Sequence, residues 1–170
     1  LDHVIGAKLP SFQPRIQAII RPKKHWKINL TYGIYNQFIN ENSLLDQFGN
    51  RIYYWAINST KDKALQSIHY LTGFSADYNF ISFSAEAYYI NTRNLNVFRF
   101  NKENGTLSTL NLKARTYGVD FHFKVKYKKH LIWFAYTVSQ SEESLMKSKT
   151  FRPSDQDQLH EFKTALILNF

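Results

Sequence analysis

The chain has 170 residues, enough for one domain with a sizeable core, and no Cys, which excludes disulfides and thiolate metal sites. Its net charge is +9, from 22 Lys and Arg against 13 Asp and Glu. These cations follow no basic-helix, zinc-finger or RNA-recognition pattern, so nucleic acid is not an expected partner. The N-terminal LDHVIGAKLP lacks the basic start and apolar run of a secretory leader, so none is expected. No run approaches the ~18 apolar residues of a transmembrane helix.

Alternation of apolar and polar residues, the mark of a strand with two unlike faces, recurs from residue 13 to the end. Arg15–Ile20 reads as a strand stopped by Pro22. After the cluster Lys23-Lys24-His25, expected to be a solvated hairpin turn, Trp26, Ile28, Leu30, Tyr32 and Ile34 alternate with Lys27, Asn29, Thr31, Gly33 and Tyr35. Residues 38–64 form a long polar segment, expected to be a loop. Ile68, Tyr70, Phe74, Ala76 and Tyr78 then share one phase. A short break at Tyr78-Asn79 leads to Ile81, Phe83, Ala85, Ala87 and Tyr89, set against Ser82, Ser84, Glu86 and Tyr88.

A second long segment, 92–108, holds Asn104-Gly105, a hairpin-turn dipeptide. The next strand, about 109–127, alternates most cleanly. Tyr117, Val119, Phe121, Phe123, Val125 and Tyr127 lie on one side, and Gly118, Asp120, His122, Lys124 and Lys126 on the other. Lys128-Lys129-His130 turns it into a strand with Ile132, Phe134, Tyr136 and Val138 in phase. A third long segment, 140–158, has room for one turn of helix at 140–149. The last strand carries Phe162, Thr164, Leu166, Leu168 and Phe170 on one face.

The pattern predicts an all-β fold of about seven long antiparallel strands in a single unit spanning residues 1–170. Tight and long connections alternate, so an up-and-down sheet gathers all tight turns at one end and all long loops at the other. Transmembrane barrels show this asymmetry, with short periplasmic turns and long extracellular loops. Ten residues separate Tyr117 from Tyr127. At ~3.3 Å per residue they span about 33 Å, or roughly 23 Å of height at a tilt of ~45°, close to the ~25 Å apolar band between aromatic girdles. Trp26, Tyr78 and Phe170 are expected on the girdle at the tight-turn end. The expected fold is thus a transmembrane β-barrel segment, with Tyr117, Val119, Phe121, Phe123, Val125 and Tyr127 facing lipid. A soluble β-barrel binding a small apolar ligand gives the same parity, and a β-rich module meeting acidic partners through its basic turns is a third reading.

Four stretches, in order, resemble the barrel strands of TonB-dependent outer-membrane receptors: QPRIQAIIRPKKHWKINLTYGIYNQFI, HYLTGFSADYNFISFSAEAYYINTRNLNVF, ARTYGVDFHFKVKYKKHLIWFAYTVSQSE and FRPSDQDQLHEFKTALILNF. The resemblance implies a piece of the C-terminal half of a 22-stranded barrel in the cell outer membrane. Such receptors import a scarce nutrient (siderophore, cobalamin or oligosaccharide). It implies outer-membrane lipid as a partner and TonB as another, through a plug domain expected to be absent from this chain. A nutrient ligand or a surface lipoprotein is a further partner. By position in the loops and upper lumen wall, Tyr35, Gln37, Tyr88, Arg115, Ser139, Arg152 and His160 are candidate ligand contacts. No catalytic constellation, cofactor site or metal site is expected: the six His residues form no HxH or HExxH pattern. Asp155-Gln156-Asp157 lacks the glycine and distal Glu of a calcium loop.

Overall fold

The computed structural model describes residues 12–45, 51–57, 64–101, 105–154 and 157–168. Ten strands follow in chain order: β1 (Arg15–Lys23), β2 (Trp26–Gln37), β3 (Ile39–Leu45), β4 (Arg51–Ile57), β5 (Leu65–Asp77), β6 (Ile81–Asn101), β7 (Thr106–Tyr127), β8 (His130–Leu145), β9 (Arg152–Pro153) and β10 (His160–Ile167). Eight of them make one antiparallel up-and-down sheet, seven in the order β1-β2-β5-β6-β7-β8-β10 with β9 also on β8, and β3 pairs with β4 separately. No helix occurs among the described residues.

The period-2 pattern placed the sheet strands well, and the long connections less so. Segment 38–64 carries the β3–β4 hairpin, paired from Ile39↔Ile57 to Leu45↔Arg51. Segment 92–108 is mostly strand, since β6 and β7 stay paired out to Asn101↔Thr106. Gly105 sits there at φ +64°, the left-handed region that Gly enters without steric cost; Asn104 lies outside the described residues. Segment 140–149 is not helical: β8 runs to Leu145 and a turn follows at Met146-Lys147. In each case the polar residues fall on both parities, so the strand shows no apolar alternation.

Pro22 does not stop β1. It lies inside the strand, where the register shifts between Ile20 and Lys23. An edge strand tolerates this because the missing N–H falls on an unpaired side or at a bulge. The tight turns fall where expected, at Lys24-His25 and at Lys128-Lys129, with Lys128 at φ +51°.

At the other edge β9 and β10 both line β8. Between them the ladder is kept up by substitutes. Ser141 N–H donates to Asp157 Oδ1 at 2.7 Å, Ser154 N–H to Ser141 O at 2.9 Å, and Ser139 N–H to Leu159 O at 3.0 Å. A carboxylate here stands in for a backbone carbonyl.

Contacts between elements run between hydrogen-bonded neighbours, with an added approach of β3 to β6. No second layer covers either face of the sheet among the described residues. Ala135, 7% exposed, is the buried apolar side chain of the described chain. Ile16, Ile20, Leu30, Ile132, Phe162 and Leu166 share one face and are 44–66% exposed. Covering the open half of each is worth about 1 kcal/mol, so the six together approach the ~5–15 kcal/mol that stabilises a whole domain. The sheet therefore forgoes in water the term that normally holds a fold together.

Candidate functional site

The registers carry one parity across the whole sheet, so its two faces can be read row by row. One row is Ile28–Phe74–Ala85–Phe121–Tyr136–Phe162, crossing from β2 to β10. Next to it lie Trp26–Ala76–Phe83–Phe123–Phe134–Thr164 on one side and Leu30–Thr72–Ala87–Val119–Val138–His160 on the other. Rings interlock along these rows: Phe123 meets Phe134 at 6.0 Å between centroids, and Phe134 meets Phe162 at 5.6 Å.

A row of four tyrosines, Tyr32–Tyr70–Tyr89–Tyr117, crosses this surface, with centroids 5.3, 6.3 and 6.5 Å apart in sequence. The Tyr117 hydroxyl donates to Gln140 Oε1 at 2.8 Å. Beyond this row the same face turns polar on β6, β7 and β8, while Ile34 and Ile68 keep it apolar for one more position on β2 and β5. Asn91, Arg115 and Glu142 are cross-strand partners, followed by Asn36, Gln66, Arg93, Lys113 and Ser144. Arg115 pairs with Glu142 at 2.5 Å and stacks on the Phe151 ring at 4.1 Å. Glu142, by that hydrogen bond, holds the Arg115 guanidinium still more firmly protonated than usual.

At the opposite end Trp26 Nε1–H donates to the Tyr78 hydroxyl at 3.1 Å, His25 stacks on Tyr78 at 5.0 Å, and Tyr127 is 66% exposed. Aromatics with polar handles thus bracket the apolar surface at both ends. Phe170 lies outside the described residues.

The other face carries Lys27, Asn29, Thr31, Ser75, Ser84, Glu86, Asp120, His122 and Lys124, with Ile19 and Ile167 on the edge strands and Leu71, Ile90, Leu131 and Trp133 on interior strands as apolar exceptions. A groove of about 410 Å³ runs across it, lined by Lys27, Asn29, Ser75, Glu86, Asp120 and Lys124 among others. Glu86 and Asp120 are direct cross-strand partners. Like charges so placed repel by a few tenths to ~1 kcal/mol, and neither carboxylate belongs to an ion pair described here. Asn29 Oδ1 and Ser75 Oγ are buried in the same groove without a protein partner.

Two glycines on this face give rings a seat. A Cβ on Gly33 would lie 2.7 Å from Tyr35, and one on Gly118 would lie 2.7 Å from the Tyr88 hydroxyl and 2.6 Å from Val138 O. Tyr35 also meets His69 in a tilted ring contact at 4.4 Å and lies under the Arg15 guanidinium at 4.6 Å.

The candidate ligand contacts separate. Tyr35, Gln37, Tyr88 and Ser139 lie on the polar face. Tyr88 and Ser139 meet over Gly118, while Gln37 Nε2–H donates to Ile39 O at 2.7 Å. Arg115 and His160 do not join them. Both have the parity of the tyrosine row and stand on the opposite face, where His160 Nδ1 lies 3.0 Å from the Tyr136 hydroxyl. Arg152 is exposed in β9 opposite Glu143. The facing carboxylates, the tyrosine row and the glycine seats were not singled out from sequence as groups, because only the registers bring them together. No protein-family model, curated protein or solved structure matches this chain.

Proposed function

We propose that the chain is part of a transmembrane β-barrel in the outer membrane, with the apolar face toward lipid and the polar face toward the lumen. The observation that carries this reading is the uncovered apolar face itself, continuous over seven strands and bracketed by aromatics. In water such a face is a liability of the kind that folds bury; in a bilayer it is the surface that acyl chains require. The sheet also satisfies its backbone groups between neighbours, as a spanning structure needs. The outer edges of β1 and β10 have no strand partner among the described residues. On this reading further strands pair with both and close the barrel.

The four stretches that resemble TonB-dependent receptors extend the reading to energised import of a scarce nutrient, such as a siderophore complex, cobalamin or an oligosaccharide. Tyr35, Tyr88 and Ser139 then line the lumen wall, and the paired β6–β7 extension beyond the tyrosine row reaches above the membrane. Arg115 and His160 fall on the lipid side of the wall and leave the set of ligand contacts.

Two measurements test this. The chain should stay in the membrane fraction through carbonate washing and need detergent for release; a folded monomer in detergent-free buffer overturns the barrel reading. Deleting the gene should abolish energy-dependent uptake of one of the three nutrient classes. Unchanged uptake of all three leaves a barrel that is not this importer.

A further inference from the structure

On the face that carries the tyrosine row, Arg93 and Lys113 are direct cross-strand partners. Two cations so placed repel, and neither forms an ion pair among the described residues, where the carboxylate partners belong to Arg115 and Lys163. Lys113 Nζ donates to Ser148 O at 2.8 Å, which neutralises no charge, and Arg93 is exposed. The pair stands four residues beyond Tyr89 and Tyr117, about 13 Å along the strands. On the other side of the tyrosine row lies an apolar groove of about 490 Å³, whose walls include Leu30, Tyr32, Tyr70, Thr72, Ala87 and Tyr89. Thr72 and Ala87, small beside the rings around them, form its floor.

We infer that Arg93 and Lys113 hold the phosphate of a membrane lipid whose acyl chain lies in the groove below the tyrosines. This rests on the proposed orientation, with the apolar face toward lipid. The distance from Ala87 to Arg93 is six residues, about 20 Å along the strand, which matches one lipid lying from headgroup to chain. A phosphate between the two side chains turns a repulsive pair into two charge-assisted contacts, with Arg offering its planar fork and Lys a point charge. Arg115 lies close by, but its charge is already met by Glu142.

The chain is reconstituted into vesicles of phosphatidylcholine alone or mixed with phosphatidylglycerol. Co-purifying lipid is then counted by native mass spectrometry, with and without excess inorganic phosphate. The parent chain should retain phosphatidylglycerol over phosphatidylcholine and keep it when phosphate is added. The double variant Arg93→Gln/Lys113→Gln should lose retention by about fivefold for each charge removed. Lys23→Gln/Lys24→Gln, at the far end of the sheet, should retain as much as the parent. Insertion into both vesicle types without preference, equal retention by the Arg93/Lys113 variant, or displacement by inorganic phosphate overturns the lipid site while leaving the barrel intact. A chain that enters neither vesicle overturns both.

Discussion

Tyr89 and Tyr117 face each other across β6 and β7 with rings 6.5 Å apart and 21° from parallel, and they mark where one surface changes character. Two residues toward the tight turns lie Ala87 and Val119; two residues the other way lie Asn91 and Arg115. A bilayer interface supplies a physical cause for such a boundary, since a Tyr ring lies in the hydrocarbon while its hydroxyl stays wet.

Phe123 and Lys124 are neighbours on opposite faces. Phe123→Arg puts a charge near the middle of the apolar surface and should cost about 2–4 kcal/mol of membrane folding stability. Lys124→Ala should change it by less than about 0.5 kcal/mol, as an ordinary solvated substitution does. Urea titration of refolding into vesicles measures both.

Gly33 and Gly118 should respond differently to Ala. At Gly33 the obstacle is the movable ring of Tyr35. The cost should be small and should vanish when Tyr35→Ala is added. At Gly118 the obstacle includes the backbone oxygen of Val138 at 2.6 Å. Gly118→Ala should cost about 1–3 kcal/mol, as overpacking does, and adding Tyr88→Ala should recover only part of it. Double-mutant cycles on unfolding midpoints separate the two cases.

Lys128 holds φ +51° in the β7–β8 turn. An L residue in that region carries roughly 1–2 kcal/mol of strain. Lys128→Gly should be neutral to stabilising despite its extra chain entropy, and Lys128→Val should destabilise. The ordering Gly, Lys, Val in unfolding midpoint is the expected outcome.

Much of this architecture was readable from alternation alone, because a half-apolar strand must place every second residue on one side. Ile81–Tyr89 and Tyr117–Val125 pair as their parities require. Alternation fails where polar residues occupy both parities. β6 runs on to Asn101 and β7 starts at Thr106, yet Arg93, Asn94, Asn96 and Asn111 look like loop. At Asn94 the cause is specific: φ +59° at the register shift makes it a bulge residue, and its side-chain amide donates to Ala64 O at 3.0 Å. The candidate site suffered from a different gap. Arg115 and His160 are expected in the lumen by their place near the long loops, while their parity assigns them to the face of Tyr117 and Val138.

The central claim is that acyl chains touch the Phe121–Phe123 side of the sheet. The chain has no native Cys, so single-Cys variants at residues 119 to 126, each carrying one fluorophore, can be read in vesicles against a lipid-phase quencher and a water-phase quencher. The account predicts alternation: positions 119, 121, 123 and 125 quenched from the lipid, and 120, 122, 124 and 126 from water. Odd positions shielded from the lipid quencher, with the even row no wetter than the odd, would contradict it.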